Sequence, residues 1–117
     1  MNAYLAKIVY RIVCGNGNHT PQFDEQLRLV YAGDEEEAIL SAKEIGRKEQ
    51  HCFLNEKQNL VSWQFINIAD LIMIEKFAHG AEVFSVIKEP LNADVYIEYI
   101  SKKAKSLSMA ACNFANT

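Results

Sequence analysis

YLAKIVYRIVC, residues 4–14, is the stretch whose reading decides the fold of this chain. Its even positions, Tyr4, Ala6, Ile8, Tyr10, Ile12 and Cys14, form one apolar row, while the odd ones mix Leu5, Val9 and Val13 with Lys7 and Arg11. Side chains on a strand point alternately to its two faces, so this is a strand with one face largely apolar. CGNGNHTP follows, with Gly15, Asn16, Gly17 and Asn18 able to take positive φ. Beyond it, Phe23, Leu27, Leu29 and Tyr31 share one face of a second strand, and Gln22, Asp24, Gln26 and Arg28 share the other. The two runs read as a long antiparallel hairpin with a loop longer than the tight two-residue turns. The natural register puts Lys7 and Arg11 on the polar side with Gln22, Asp24, Gln26 and Arg28. Glu25 then lies among the apolar residues, between Phe23 and Leu27, where a carboxylate needs a partner or the sheet's rim.

After the hairpin, Asp34 opens a helix. Its carboxylate caps the first turn, Glu37 completes a capping box, and Glu35 and Glu36 suit the positive end of the dipole. Ala38, Ile39, Ala42 and Ile45 make the buried stripe, and Gly46 is expected as a left-handed C-terminal residue. A second hairpin is expected from Cys52-Phe53-Leu54, a turn at residues 55–59, and Val61, Trp63 and Phe65 on one face. The apolar phase changes before Leu71-Ile72-Met73-Ile74, which predicts a bulge near Asn67 to Asp70. A further strand is expected from Gly80 to Ile87, closed by Pro90. From Asn92 to Leu107, Val95 to Ile100 have strand propensity, but Tyr96, Ile100, Ala104 and Leu107 are spaced as a helical stripe, and a helix is expected. Residues 108–117 are expected to fray.

The whole reads as an α+β domain over residues 1–107, ordered β-β-α-β-β-β-α. It has an antiparallel sheet of about five strands and two helices packed on one face. At 117 residues, with half of them hydrophobic and 23% charged, the chain has globular composition. No apolar run approaches the roughly 20 residues of a membrane span. The net charge of −3 and pI of about 5.6 lack the basic field that gathers phosphate backbones, so neither nucleic acid nor a membrane is an expected partner. Lys102, Lys103 and Lys105 read as a solvated face near a helix end. Three cysteines, Cys14, Cys52 and Cys112, with no CxxC pair fit a reducing cytoplasm, and no signal core is expected because Lys7 and Arg11 interrupt the apolar start.

The ordered blocks Tyr4-Leu5-Ala6-Lys7, FDEQLRLVYA, DEEEAILSAKEIG, FLNEKQNLVSWQFINIADL and HGAEVFSVI resemble the bacterial domain of unknown function 4288 family over Tyr4 to Ile87. The resemblance implies a small intracellular α+β domain and no particular activity. The long CGNGNHTP loop and the segment from Asn92 depart from the family pattern.

Two sharper chemistries are outweighed by plainer ones. Cys14, His19, His51 and Cys52 have the atoms for zinc, but neighbours on a strand point apart, so no metal or other cofactor is expected. A Cys14 thiolate activated by His19 lacks any supporting signature. The expected function is a non-enzymatic interaction or regulatory module that self-associates, through an edge strand or through Tyr96 and Tyr99, as a homodimer or with another protein. The alternative is a small-ligand binder or enzyme at Cys14 to Gln26. The candidate binding residues are Arg11, His19, Glu25, Arg28 and Trp63, with Tyr96 and Tyr99 for a partner; no catalytic residue is assigned.

Overall fold

The computed structural model describes residues 1–115, with side chains as far as residue 112. By internal contacts the chain divides into two compact units, Met1–Phe84 and Ser85–Thr117.

The first unit contains β1 (Asn2–Cys14), β2 (Gln22–Ala32), α1 (Glu35–Lys48), β3 (His51–Leu54) and β4 (Leu60–Ile74). The strands form one antiparallel sheet of four, in the order β2-β1-β4-β3, rather than about five. The expected strand at Gly80 to Ile87 does not form. Gly80, at φ 84°, turns the chain, and Phe84 presents its ring 5.6 Å from Lys7 Nζ instead of its backbone to a sheet edge. Val83, Val86 and Ile87 of that segment stay exposed, and apolar alternation by itself does not supply a neighbouring strand to pair with.

One face of the sheet, here the inner face, is covered in part by α1. Tyr4, Ala6, Val30 and Ala32 from the strands and Ala38 and Ala42 from the helix form the buried cluster, with Ile45, Ile68 and Leu71 packed against it. Small residues let the helix lie close to the strands. Gly46 marks a close approach: it lies within α1, not beyond its end, and a Cβ added there would sit 2.5 Å from Phe65 Cδ1. The expected left-handed role is thus replaced by a packing role, and the helix runs on to Lys48. Tyr10, 1% exposed, donates its hydroxyl proton to the Gly46 carbonyl at 3.0 Å. At the other end, Asp34 Oδ1 accepts from the Glu37 N–H (2.8 Å) and Glu37 Oε2 from the Gly33 N–H (3.0 Å), a reciprocal cap shifted by one residue from the usual box.

The β1–β2 register corrects the expected polar face. Ile8 pairs with Gln26, Tyr10 with Asp24 and Ala6 with Arg28, whereas Lys7 pairs with Leu27 and Arg11 with Phe23. Directly opposed residues share a face, so Asp24, Gln26 and Arg28 lie on the inner face with the buried row of β1. Phe23, Leu27, Leu29 and Tyr31 lie on the outer face with Lys7 and Arg11. Val30 and Ala32 set this parity, because they lead directly into α1 and must lie beneath it.

Along β4 the register with β1 shifts twice, between Lys7 and Ile8 and between Val9 and Tyr10. Ala69 and Ile66 are the extra residues. Two bulges restore the original phase, so Val61, Trp63, Phe65, Ile68, Leu71 and Met73 all face inward despite the broken alternation.

The second unit is built on α2 (Ala93–Ala115). Asn92 caps it, its Oδ1 accepting from the Val95 N–H at 3.0 Å, and Glu98 and Lys102 pair one turn apart at 3.3 Å. The strand propensity of residues 95–100 is overridden by the cap and the helical spacing. The helix continues past Leu107 through most of the stretch expected to fray; residues 116 and 117 of that stretch lie outside the described residues.

Candidate functional site

The loop after β1 is organised by His19. Its Nε2 accepts from the Cys14 N–H at 3.0 Å, which makes the proton on Nδ1 available to the Thr20 carbonyl at 2.9 Å. Both ring nitrogens are therefore spent on backbone. Gly15 and Gly17 supply the positive φ values of 60° and 81° that the loop requires. The Gly15 N–H reaches the Leu60 carbonyl at 2.7 Å, and Asn55 Nδ2 reaches Cys14 Sγ at 3.6 Å, so this loop is tied to the β3–β4 turn. A shallow depression of about 440 Å³ lies between Cys14, Asn16, His19 and Asn59. Among the described residues, no group of three or more His, Cys, Asp or Glu side chains is placed to hold a metal ion. His51 and Cys52 fall on opposite faces of β3, as their partners Trp63 and Ser62 do on β4.

The inner face beyond the end of α1 carries a ladder of polar side chains. Gln26 Nε2 donates to Asp24 Oδ2 at 2.7 Å, and Arg28 donates through Nε and Nη2 to Gln26 Oε1 at 3.0 and 2.9 Å. Trp63 Nε1 also donates to Asp24 Oδ2, at 3.1 Å. Next to Trp63 stand two near-parallel rings, His51 at 5.1 Å and Phe53 at 6.1 Å between centroids. Burial raises the Tyr10 phenol above its ordinary pKa. Arg28 opposes that shift, and Glu49 and Asp24 reinforce it, which places Tyr10 in the field of the ladder.

On the outer face, Lys7 Nζ lies 3.5 Å from Glu25 Oε1 and 3.8 Å from Asp70 Oδ2. Glu25 does stand among the apolar residues of β2, and this is the partner its position requires. Phe23, Leu27, Leu29 and Tyr31 are each about half exposed, so the outer face of β2 is an uncovered apolar row. β2 is also an edge strand with β1 as its one strand neighbour.

The candidate residues are thus distributed rather than gathered. Arg11 and Glu25 lie on the outer face, Arg28 and Trp63 on the inner face, and His19 in the loop. Tyr96 and Tyr99 belong to the second unit. Tyr96 is half-buried, and Tyr99 is 52% exposed with Lys103 Nζ 4.7 Å from its ring centroid. Hydrogen bonding to Tyr99 raises the Lys103 ammonium above its ordinary pKa. Asp24 and Gln26, placed on the hairpin's polar side but not among the candidate residues, are at the centre of the polar ladder. Their alternation with apolar residues was visible, but the face they occupy depends on the register.

Fold and site together define a small α+β domain with a four-stranded antiparallel sheet, one face of it covered by a helix and one long edge left open. The family whose model matches is described as Domain of unknown function (DUF4288), over residues 3–85, and the chain belongs to that family. The matched span coincides closely with the first compact unit. No curated protein and no solved structure matched the chain. Among the described residues, no helix is long and apolar enough to cross a membrane.

Proposed function

We propose that this domain is a non-enzymatic cytoplasmic interaction module that self-associates through the open edge of β2. The observation that carries the reading is the strand itself. It runs unbroken from Gln22 to Ala32 without a bulge, a proline or a lysine, and its apolar outer row is exposed. An edge of this kind presents unpaired N–H and C=O groups to any strand that can lie beside it, and proteins normally blunt such edges. A second copy offers the same strand, and pairing would join two sheets while covering Phe23, Leu27 and Leu29 from both sides. The free thiols of Cys14 and Cys52 support a reducing compartment. His19, committed to the loop backbone, supports a structural rather than a catalytic role for the first hairpin loop.

Sedimentation or light scattering of the full chain across a micromolar concentration series tests the reading. The expected result is a mass that rises to twice the monomer. A mass that stays monomeric throughout refutes it.

A further inference from the structure

Resting on that self-association, we infer that the two-fold axis of the β2–β2 pairing passes through Gln26, so that Asp24 of each copy faces Arg28 of the other. A two-fold normal to the sheet keeps the inner faces continuous, so opposed residues share a face and the axis must cross a residue opposite itself. Charge then selects among the choices. An axis through Asp24 or Glu25 sets two carboxylates directly opposite each other, and one through Arg28 sets two guanidinium groups opposite, both of which destabilise a pair of strands. An axis through Leu27 is neutral but leaves Asp24 facing Val30. An axis through Gln26 makes two Asp24–Arg28 pairs and opposes Phe23 to Leu29 on the outer face. The paired stretch, Gln22 to Val30, falls within β2.

Charged side chains turned toward the covered face of an edge strand ordinarily discourage pairing with other strands. Here their signs are opposite and symmetrically placed about Gln26, so the same feature that repels a general strand accepts a second copy. Gln26 holds both charges along the strand before association, through the 2.7 Å bond to Asp24 and the 2.9 and 3.0 Å bonds from Arg28. That ordering lowers the entropy lost on pairing.

The test uses the single substitutions Asp24→Lys and Arg28→Glu in the full chain, with circular dichroism to verify folding. Each variant alone faces like charges across the axis twice, and its self-association should weaken about 100-fold or more. An equimolar mixture makes two opposite-charge pairs, and it should recover dimer. Single variants that dimerise as wild type does, or a mixture that stays monomeric, overturn the register while leaving wild-type dimerisation standing. A monomeric wild type instead overturns the self-association on which the register rests. Should either charge variant fail to fold, Gln26→Cys and Leu27→Cys give the same answer under mild oxidation, with wild type as the control for native thiols. Residues directly opposed have Cβ atoms about 4.5–5.5 Å apart, near disulfide range. Gln26→Cys should cross-link and Leu27→Cys should not; the reverse result overturns the register.

Discussion

Gly46→Ala is expected to destabilise the domain even though alanine is the better helix former. The new Cβ would lie 2.5 Å from Phe65 Cδ1 and 3.1 Å from Cζ, where ordinary carbon contacts are about 3.5–4.0 Å. A shortfall of about 1 Å must be absorbed by the ring or by the helix. The ring has little room: Tyr10 meets it edge-on at 6.1 Å, Arg47 lies 6.0 Å from its centroid, and the Phe65 N–H is held by Gln50 Oε1 at 2.9 Å. Moving the helix strains the 3.0 Å Tyr10–Gly46 bond. Overpacking of this kind costs about 1–3 kcal/mol, and the helix propensity of alanine returns about 1 kcal/mol, so the net loss should be up to about 2 kcal/mol. Urea unfolding of wild type, Gly46→Ala, Phe65→Leu and the double variant measures it, with an unchanged m value confirming that stability alone has moved. In the Phe65→Leu background the alanine has space, and its effect should become neutral or stabilising by up to about 1 kcal/mol. Gly46→Ala that is more stable than wild type with Phe65 intact would refute the close helix–sheet contact.

Tyr10→Phe leaves the Gly46 carbonyl without its donor and should cost about 1–2 kcal/mol at neutral pH by urea unfolding. Because the folded-state pKa of Tyr10 lies above 10.0, its contribution is complete below pH 10 and declines as the pH rises from there toward the folded value. Tyr10→Phe should flatten that alkaline decline. Asp34→Ala removes the cap on the Glu37 N–H and should lower stability by about 0.5–2 kcal/mol, read from the thermal midpoint, whereas Asp34→Asn should retain most of it. His19→Ala opens both loop bonds, and amide hydrogen exchange at Cys14 should accelerate with little change at Tyr4 or Ile8, which are buried in the sheet; unchanged Cys14 exchange would show that the imidazole is not its acceptor.

Much of the local structure was legible because its causes are local. The alternation from Tyr4 to Cys14, the capped start at Asp34, the Asn55 turn and the phase break before Leu71 each depend on residues a few positions apart. Asn55 shows this well, since its side-chain oxygen accepts from the N–H groups of Lys57 and Asn59 within its own turn. The misreading at Gly46 has the opposite origin. Glycine suits both a helix end and a close approach, and it is Phe65, on a strand formed later in the chain, that decides between them. The extra strand expected at Gly80 to Ile87 failed for the same reason, because an apolar run does not say whether a sheet edge will be there to receive it.

The candidate site divides along the same line. From the residues alone came the two strands of the first hairpin, the polar identity of Asp24, Gln26 and Arg28, and the anomaly of Glu25 among apolar neighbours. Which face those residues occupy was settled in three dimensions. A hairpin loop of this length leaves the register open, and the connection from Ala32 into α1 closes that choice by requiring Val30 and Ala32 to lie under the helix. A one-residue difference in pairing moves every side chain of β2 to the other face, and it turns a polar sheet surface into a half-buried charge ladder beside an open edge.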